Sequence, residues 1–270
     1  MTKLRFALNH MCAPSMSIEA FFALAAALGV SGVEVRNDLE GKASIAGNPA
    51  DVVRKAAERH GLTILSINAL QRFNEWNEER AKEAAELIAY ARDCGAKALV
   101  LVPVNDGSGK QDGVRQENLL TALKALRPLL EAAGIIGLVE PLGFSVCSLS
   151  SKAEAAGAIE KLGAQSTFKL VHDTFHHHLA DEAPLFAAMT GLVHISGVSD
   201  PAVSVADMRD AHRVLVDGKD RLDNIAQIRA LIAAGYQGPL SFEPFAEEVH
   251  ALADPAAALK GSMDFIAARV

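Results

Sequence analysis

The chain has 270 residues, half of them apolar and 22% charged, with a formal net charge of −7. That composition supplies a large core and excludes a disordered chain. The acidic balance offers no basic face to a nucleic-acid backbone, and no run of about 18 apolar residues is present to span a membrane.

Short apolar runs alternate with longer amphipathic ones. The N-terminus, MTKLRFALNH, enters a strand over 4–9 and lacks the long apolar core of a signal peptide. A helix is expected over 17–28, a strand over 31–36, a helix over 48–60 and a strand over 62–68. Helix 75–93 follows, with Ala81, Ala84, Ala85, Ile88, Ala89 and Ala91 making a small apolar face. Next come strand 98–104, helix 113–133, strand 135–140, helix 150–162, strand 168–173 and helix 181–189. The chain ends with strand 191–197, helix 222–234, strand 239–244 and helix 254–268. Gly29, Gly61, Gly95, Gly134, Gly163 and Gly235 each stand between a helix and a strand, where a left-handed C-cap is needed. Cys12, Cys94 and Cys147 are odd in number and widely spaced, as in a reduced cytoplasmic protein without a disulfide framework or zinc ribbon.

Strands rich in apolar residues on both faces, each followed by a helix, predict a parallel sheet covered on both sides. Alternation alone allows an open doubly wound sheet or a closed barrel. Eight such units without a linker favour one domain over 1–270, a (β/α)8 barrel. No GxGxxG follows the first strand and no P-loop appears, which removes the usual support for the open sheet.

In such barrels the chemistry sits where strands end at the C-terminal face. Four consecutive strands end on Glu140, Asp173, His194 and Glu243, inside the apolar runs LVEPLG, LVHDTFHH, LVHISG and LSFEPF. Buried charges need partners, and one divalent cation satisfies three carboxylates and an imidazole together. Oxygen-rich ligation favours Mn2+, Mg2+ or Co2+ and also allows Zn2+. Glu34 and Arg36 belong to the second strand and Asn68 ends the third. In the tract His176–His177–His178, His176 is placed to reach a substrate, while its neighbours point elsewhere if the tract is extended. His172 should face away from Asp173, as a structural histidine. The long polar loop after the seventh strand reads as a lid, with Arg213 as its functional candidate. Phe73 and Trp76, after the third strand, serve either the core or an apolar pocket wall.

At these residues the chain resembles the xylose-isomerase-like barrels, and within them most closely the inosose isomerases. The resemblance is carried by VEVR, INAL, VPV, EPLG, DTFH, VHI, RV and EPF, in order from the second strand to the eighth. It implies that Glu140 and Glu243 are catalytic as well as metal-binding. It also implies that His176, Arg213, Arg36 and Asn68 contact substrate. The implied reaction interconverts 2-keto-myo-inositol and 1-keto-D-chiro-inositol by proton transfer through an enediolate. The chain departs from its relatives after Arg213, where Val214–Leu215–Val216–Asp217–Gly218–Lys219 replaces a P-G-x-G turn. Ser196 and Gly197 stand where relatives have acidic residues after the histidine.

The rival readings are a ketose 3-epimerase, a hydroxypyruvate isomerase, an inosose dehydratase and a non-catalytic sugar-binding barrel. An abasic-site endonuclease needs further histidines at the ends of the third and fourth strands, where Asn68–Ala69 and Val104–Asn105 stand. The expected partner is a small polyol or keto-sugar, with no nucleic acid and no membrane, in a chain free to form a homo-oligomer.

Overall fold

The structure is a computed structural model that describes residues 4–39 and 47–270. Eight strands form one closed, parallel barrel in sequence order. In the first half, β1 (Phe6–Asn9), α1 (Ile18–Ala27), β2 (Gly32–Arg36) and α2 (Ala50–His60) are followed by β3 (Thr63–Leu70), α3 (Glu78–Cys94), β4 (Ala98–Leu101) and α4 (Val114–Ala133). The second half runs β5 (Ile136–Val139), α5 (Lys152–Lys161), β6 (Phe168–Asp173), α6 (Thr174–Ala180), β7 (Thr190–Ile195), α7 (Asn224–Ala233), β8 (Leu240–Phe242), α8 (Glu247–His250) and α9 (Pro255–Ala267). Pairing of Phe6, Ala7 and Leu8 with Leu240, Ser241 and Phe242 closes the ring. Among the described residues no helix is long and apolar enough to cross a membrane. Cys12, Cys94 and Cys147 are buried thiols.

The two-residue period of the strands sorts side chains between two cores. Leu99, Leu101, Val139, Leu170, Val193 and Ile195 join the helices in the main apolar cluster. Ala98, Val100, Leu138, Val171 and Leu192, on the opposite parity, form a cluster without helical members inside the barrel. Continuing that inward parity by two residues gives Glu140, Asp173 and His194. Along β8 the same parity gives Ser241 and Glu243, and along β2 it gives Glu34 and Arg36. Apolar residues thus fill the barrel under β4–β7, and polar ones take over toward its C-terminal mouth.

The strand and helix bounds lie close to those read from the sequence, with three differences. The sixth helix was expected over 181–189, but α6 begins immediately after β6. Asp173 caps it, accepting hydrogen bonds from the backbone N–H groups of Phe175 at 2.8 Å and His176 at 3.3 Å, the usual N-cap arrangement. Pro184 lacks a backbone donor and disfavours the expected helix; only a short 3-10 turn, Ala187–Met189, remains there. The histidine tract is therefore helical rather than extended. The extra helix α8 carries no strong signal in the sequence. On α3, Ala85 of the expected apolar face is exposed, and Leu87, Tyr90 and Cys94 are buried instead.

Gly143, the glycine of EPLG, holds the loop after β5 against α6. A Cβ there would overlap the His176 carbonyl oxygen and lie 2.8 Å from Leu179 Cβ and 2.9 Å from the Ala180 nitrogen. Two of those contacts are backbone, which cannot swing aside. Gly143→Ala is expected to cost about 1–3 kcal/mol, read as a lower urea midpoint at unchanged slope; a midpoint equal to wild type would show that α6 yields freely.

Candidate metal centre

His194 stands at the middle of the barrel mouth and is fully buried. The β6–β7 register sets Asp173 directly beside it, and the β7–β8 register does the same for Ser241. Glu140 follows β5 and Glu243 follows β8, each fixed by a backbone N–H bond to the preceding strand of the ring, to Leu101 O at 3.1 Å and Ile195 O at 2.9 Å. His194 Nδ1 lies 2.8 Å from Glu140, 3.2 Å from Glu243 and 3.9 Å from Asp173. One atom from each of the four residues lies within 4.8 Å of the others, a spacing that could hold a metal ion.

The other ring nitrogen has a separate partner, a residue of the second strand's end to which the sequence alone assigns no role. His194 Nε2 lies 3.1 Å from Glu34 Oε2. An ionised carboxylate only accepts, so Nε2 carries a proton and donates it. Glu34 also accepts from Ser66 Oγ at 2.6 Å, Asn68 Nδ2 at 2.7 Å and Ser241 Oγ. Four donors saturate a carboxylate with no exposed surface. Glu34 thus fixes both the ring plane and the tautomer, leaving Nδ1 to face the three carboxylates. The signal for Glu34 was its position two residues before Arg36 between Val33 and Val35: a charge on the inward parity of a buried strand.

Two guanidiniums complete the frame. Arg36 donates to both oxygens of Asp38, at 2.7 and 2.6 Å, and to Glu243 Oε1 at 2.8 Å. Arg213 Nη2 donates to Asp173 Oδ2 at 2.7 Å and Glu243 Oε2 at 3.0 Å, while Nη1 and Nε reach Asp210 and Ser196. Gly197 and Val214 exchange backbone hydrogen bonds of 2.7 and 2.8 Å, which tie off the long loop after β7 and deliver Arg213 to the site. Asn9 Nδ2 adds a 3.1 Å bond to Glu243 Oε1. Burial works against charge on Glu243, but His194, Arg213 and Arg36 outweigh it and hold this carboxyl well below its ordinary range. Burial lifts Glu140 above that range, and His194 offsets only part of the effect. Burial also opposes charge on His194, yet Glu243, Glu34 and Glu140 raise it well above an ordinary imidazole.

The donor set fits a cation on charge as well as on spacing. Glu34, Glu140, Asp173 and Glu243 are buried together, opposite two guanidiniums that Asp38 and Asp210 also share. Even a protonated His194 leaves negative charge over, which a divalent ion bound to carboxylate oxygens would neutralise.

A cavity of about 370 Å³ opens above the cluster, lined by Arg36, Asn68, Glu140, His176, Arg213 and Glu243 among others. All six residues expected to act on substrate or catalyse therefore line one space. They differ in how far they are committed. The donors of Arg36, Arg213 and Asn68 are taken up by the site's own carboxylates. His176 lies edge-on to Phe144 at 5.1 Å, and its Nδ1 has no protein partner. His172 faces away, between Lys152 and Gln227 at 2.9 Å each. Phe73 is buried in the core and Trp76 packs against it, so neither walls the cavity.

The family model for xylose isomerase-like TIM barrels matches residues 22–269. A xylose isomerase domain containing protein from Salmonella typhimurium LT2 is 37% identical, superposes with a TM-score of 0.89, and the match covers 98% of this chain and 96% of that one. The IolI protein, solved with a bound zinc atom, is 20% identical with a TM-score of 0.86 over 99% of each chain. The 3-keto-D-glucoside 4-epimerase of E. coli is also 20% identical, with a TM-score of 0.74 over 98% of this chain and 100% of its own. The last two share the fold. No curated protein sequence matches significantly.

Removing the Glu34 charge should unsettle the whole centre. Glu34→Gln puts an amide donor among the hydroxyl and amide donors of Ser66, Asn68 and Ser241 and deprives His194 of a carboxylate. A loss of about 3–5 kcal/mol is expected from breaking such a buried pair, measured by urea unfolding of the metal-free protein; a loss below about 1 kcal/mol, typical of an exposed pair, would contradict this placement.

Proposed function

The chain belongs to the xylose isomerase-like TIM barrel family, and from that premise we propose that it is a divalent-metal-dependent isomerase of uncharged keto-polyols, interconverting 2-keto-myo-inositol and 1-keto-D-chiro-inositol. The observation that carries this reading is the convergence of Glu140 and Glu243 on one imidazole nitrogen, at 2.8 and 3.2 Å, in a cavity wall. Glu140, Asp173, His194 and Glu243 would hold one ion, with Glu34 keeping His194 Nδ1 turned toward it. The oxygen-rich set suits Mn2+, Mg2+ or Co2+ and accepts Zn2+. When bound, the ion supplies Lewis acidity toward a carbonyl oxygen.

The chain's own residues handle the protons. Glu140 and Glu243 reach the cavity from strands three places apart in the ring. One carboxylate removes the proton alpha to the carbonyl, giving an enediolate, and a proton returns to the neighbouring carbon, so the formula is unchanged. Arg213 and Arg36 hold the carboxylates in place and keep Glu243 ionised. His176 lines the cavity beside Phe144 and would meet the substrate from that wall.

Charge pairing favours a neutral substrate. Arg36 is matched by Asp38 and Glu243, Arg72 by Glu75 and Asp106, and Arg213 by Asp173, Asp210 and Glu243. Among the described residues, no arginine lining the cavity is left over for a substrate carboxylate, which weighs against hydroxypyruvate. A ketose 3-epimerase would use the same two glutamates and is separated by its products.

Incubating the metal-loaded protein with 2-keto-myo-inositol in D2O, followed by NMR, should show 1-keto-D-chiro-inositol with deuterium at the ring carbon. Glu140→Gln and Glu243→Gln should each lower kcat by about 100-fold or more. Exchange confined to C3 of fructose or tagatose would replace the isomerase reading with the epimerase, loss of water would indicate a dehydratase, and unchanged turnover in both variants would remove the two glutamates from the reaction.

A further inference from the structure

Three arginines line the cavity above the metal centre, Arg36, Arg72 and Arg213, and three aspartates line it with them, Asp38, Asp106 and Asp210. Each aspartate pairs with one arginine, at 2.6, 2.6 and 3.1 Å in that order. In every pair the aspartate is the more exposed partner. An anion arriving from solvent therefore meets a carboxylate at each guanidinium. Like charges brought together at a binding surface reject the wrong partner.

The three pairs are not equivalent. Arg36 and Arg213 also hold Glu243 or Asp173, so releasing either one would disturb the metal centre. Arg72 is separate: among the described residues its ion pairs are with Glu75 and Asp106 only. Its Nε and Nη2 donate to the two Glu75 oxygens at 2.6 and 3.0 Å, within one loop after β3. Its Nη1 donates at 2.6 Å to Asp106 Oδ2, which comes from the loop after β4. One edge of the guanidinium is thus anchored from its own loop, and the other is covered from the next. Arg72 keeps 35% of its side chain accessible, so the covered edge is within reach of solvent and ligand. Asp106 is held in turn by Ser108, whose backbone N–H and Oγ donate to Oδ1 at 2.9 and 2.6 Å. Ser108 and Arg72 together keep this carboxyl below its ordinary range, so it is charged at neutral pH.

We infer that Asp106 sets the charge specificity of the cavity: by occupying the Nη1 edge of Arg72 it reserves the site for uncharged ketones, and without its charge that edge would receive the carboxylate or phosphate of an anionic one. A guanidinium fork matches either anion in geometry. Asp106 acts on selection alone, since it touches no residue of the metal centre. The assignment rests on the reading of the cavity as a keto-polyol site and names the residue that excludes anions from it.

Asp106→Asn is the direct test. The amide can keep its oxygen for Ser108 while setting an N–H group, a donor, against Arg72 Nη1. Calorimetry on the metal-loaded protein compares D-fructose, D-fructuronate and D-fructose 6-phosphate, which share a ketone at C2 and carry an alcohol, a carboxylate and a phosphate ester at C6. Asp106→Asn should lower the Kd of both anions by about tenfold or more, the scale of one close charge pair, with the larger gain for the phosphate. Arg72→Gln added to Asp106→Asn should return both values to within about threefold of wild type. Urea midpoints of the variants report their folding. No gain for either anion, an equal gain for D-fructose, or a gain that persists without Arg72 would overturn the inference. Turnover of 2-keto-myo-inositol by wild type, with no anion gain in Asp106→Asn, would sink the role of Asp106 and leave the proposed function standing. The expected anion gain without proton exchange by any ketone in D2O would do the reverse.

Discussion

Carboxylates buried inside a barrel must be matched by cations, because each ion removed from water costs several kcal/mol. Four of them, Glu34, Glu140, Asp173 and Glu243, crowd around His194, and much of the upper barrel is arranged to answer that charge. The long loop after β7 is tied at its base so that Arg213 can bridge Asp173 and Glu243. Arg36 leaves β2 to hold Glu243 from the opposite side. Asp173 divides its oxygens between Arg213 and the N-terminus of α6. The same bonds that neutralise charge also set the direction of each donor atom, so stability and geometry come from one network.

Two layers of this network have different tasks. Asp173 and His194 sit side by side in register, held by a helix cap and by Glu34. Glu140 and Glu243 project into the cavity wall, and their environments pull their proton affinities apart, upward for Glu140 and downward for Glu243. Two carboxylates of unlike character facing one space are the usual foundation of acid–base chemistry.

Strand ends were the legible part of the sequence. The barrel's period of strand and helix, and the charges at 140, 173, 194 and 243, could be read because each charge interrupts an apolar run at a predictable depth. Glu34 stands beside Arg36 at the end of the second strand, but its pairing with His194 of β7 has no local signal. The start of α6 is hidden in the sequence because Asp173 both ends β6 and caps the helix that follows. Arg36, Asn68 and Arg213 line the cavity, but a motif does not show which donors neighbouring carboxylates have already claimed. That information lies in contacts between distant segments, such as the one between Arg36 and Glu243, which no local pattern carries.

Whether the four residues act as one metal centre is decided most directly by pulsed EPR of the protein loaded with Mn2+. One ion per chain is predicted, coupled to a single imidazole nitrogen, with that coupling lost in His194→Ala and retained in His176→Ala. Failure to retain Mn2+, coupling to two histidines, or a nitrogen signal that survives His194→Ala would contradict it.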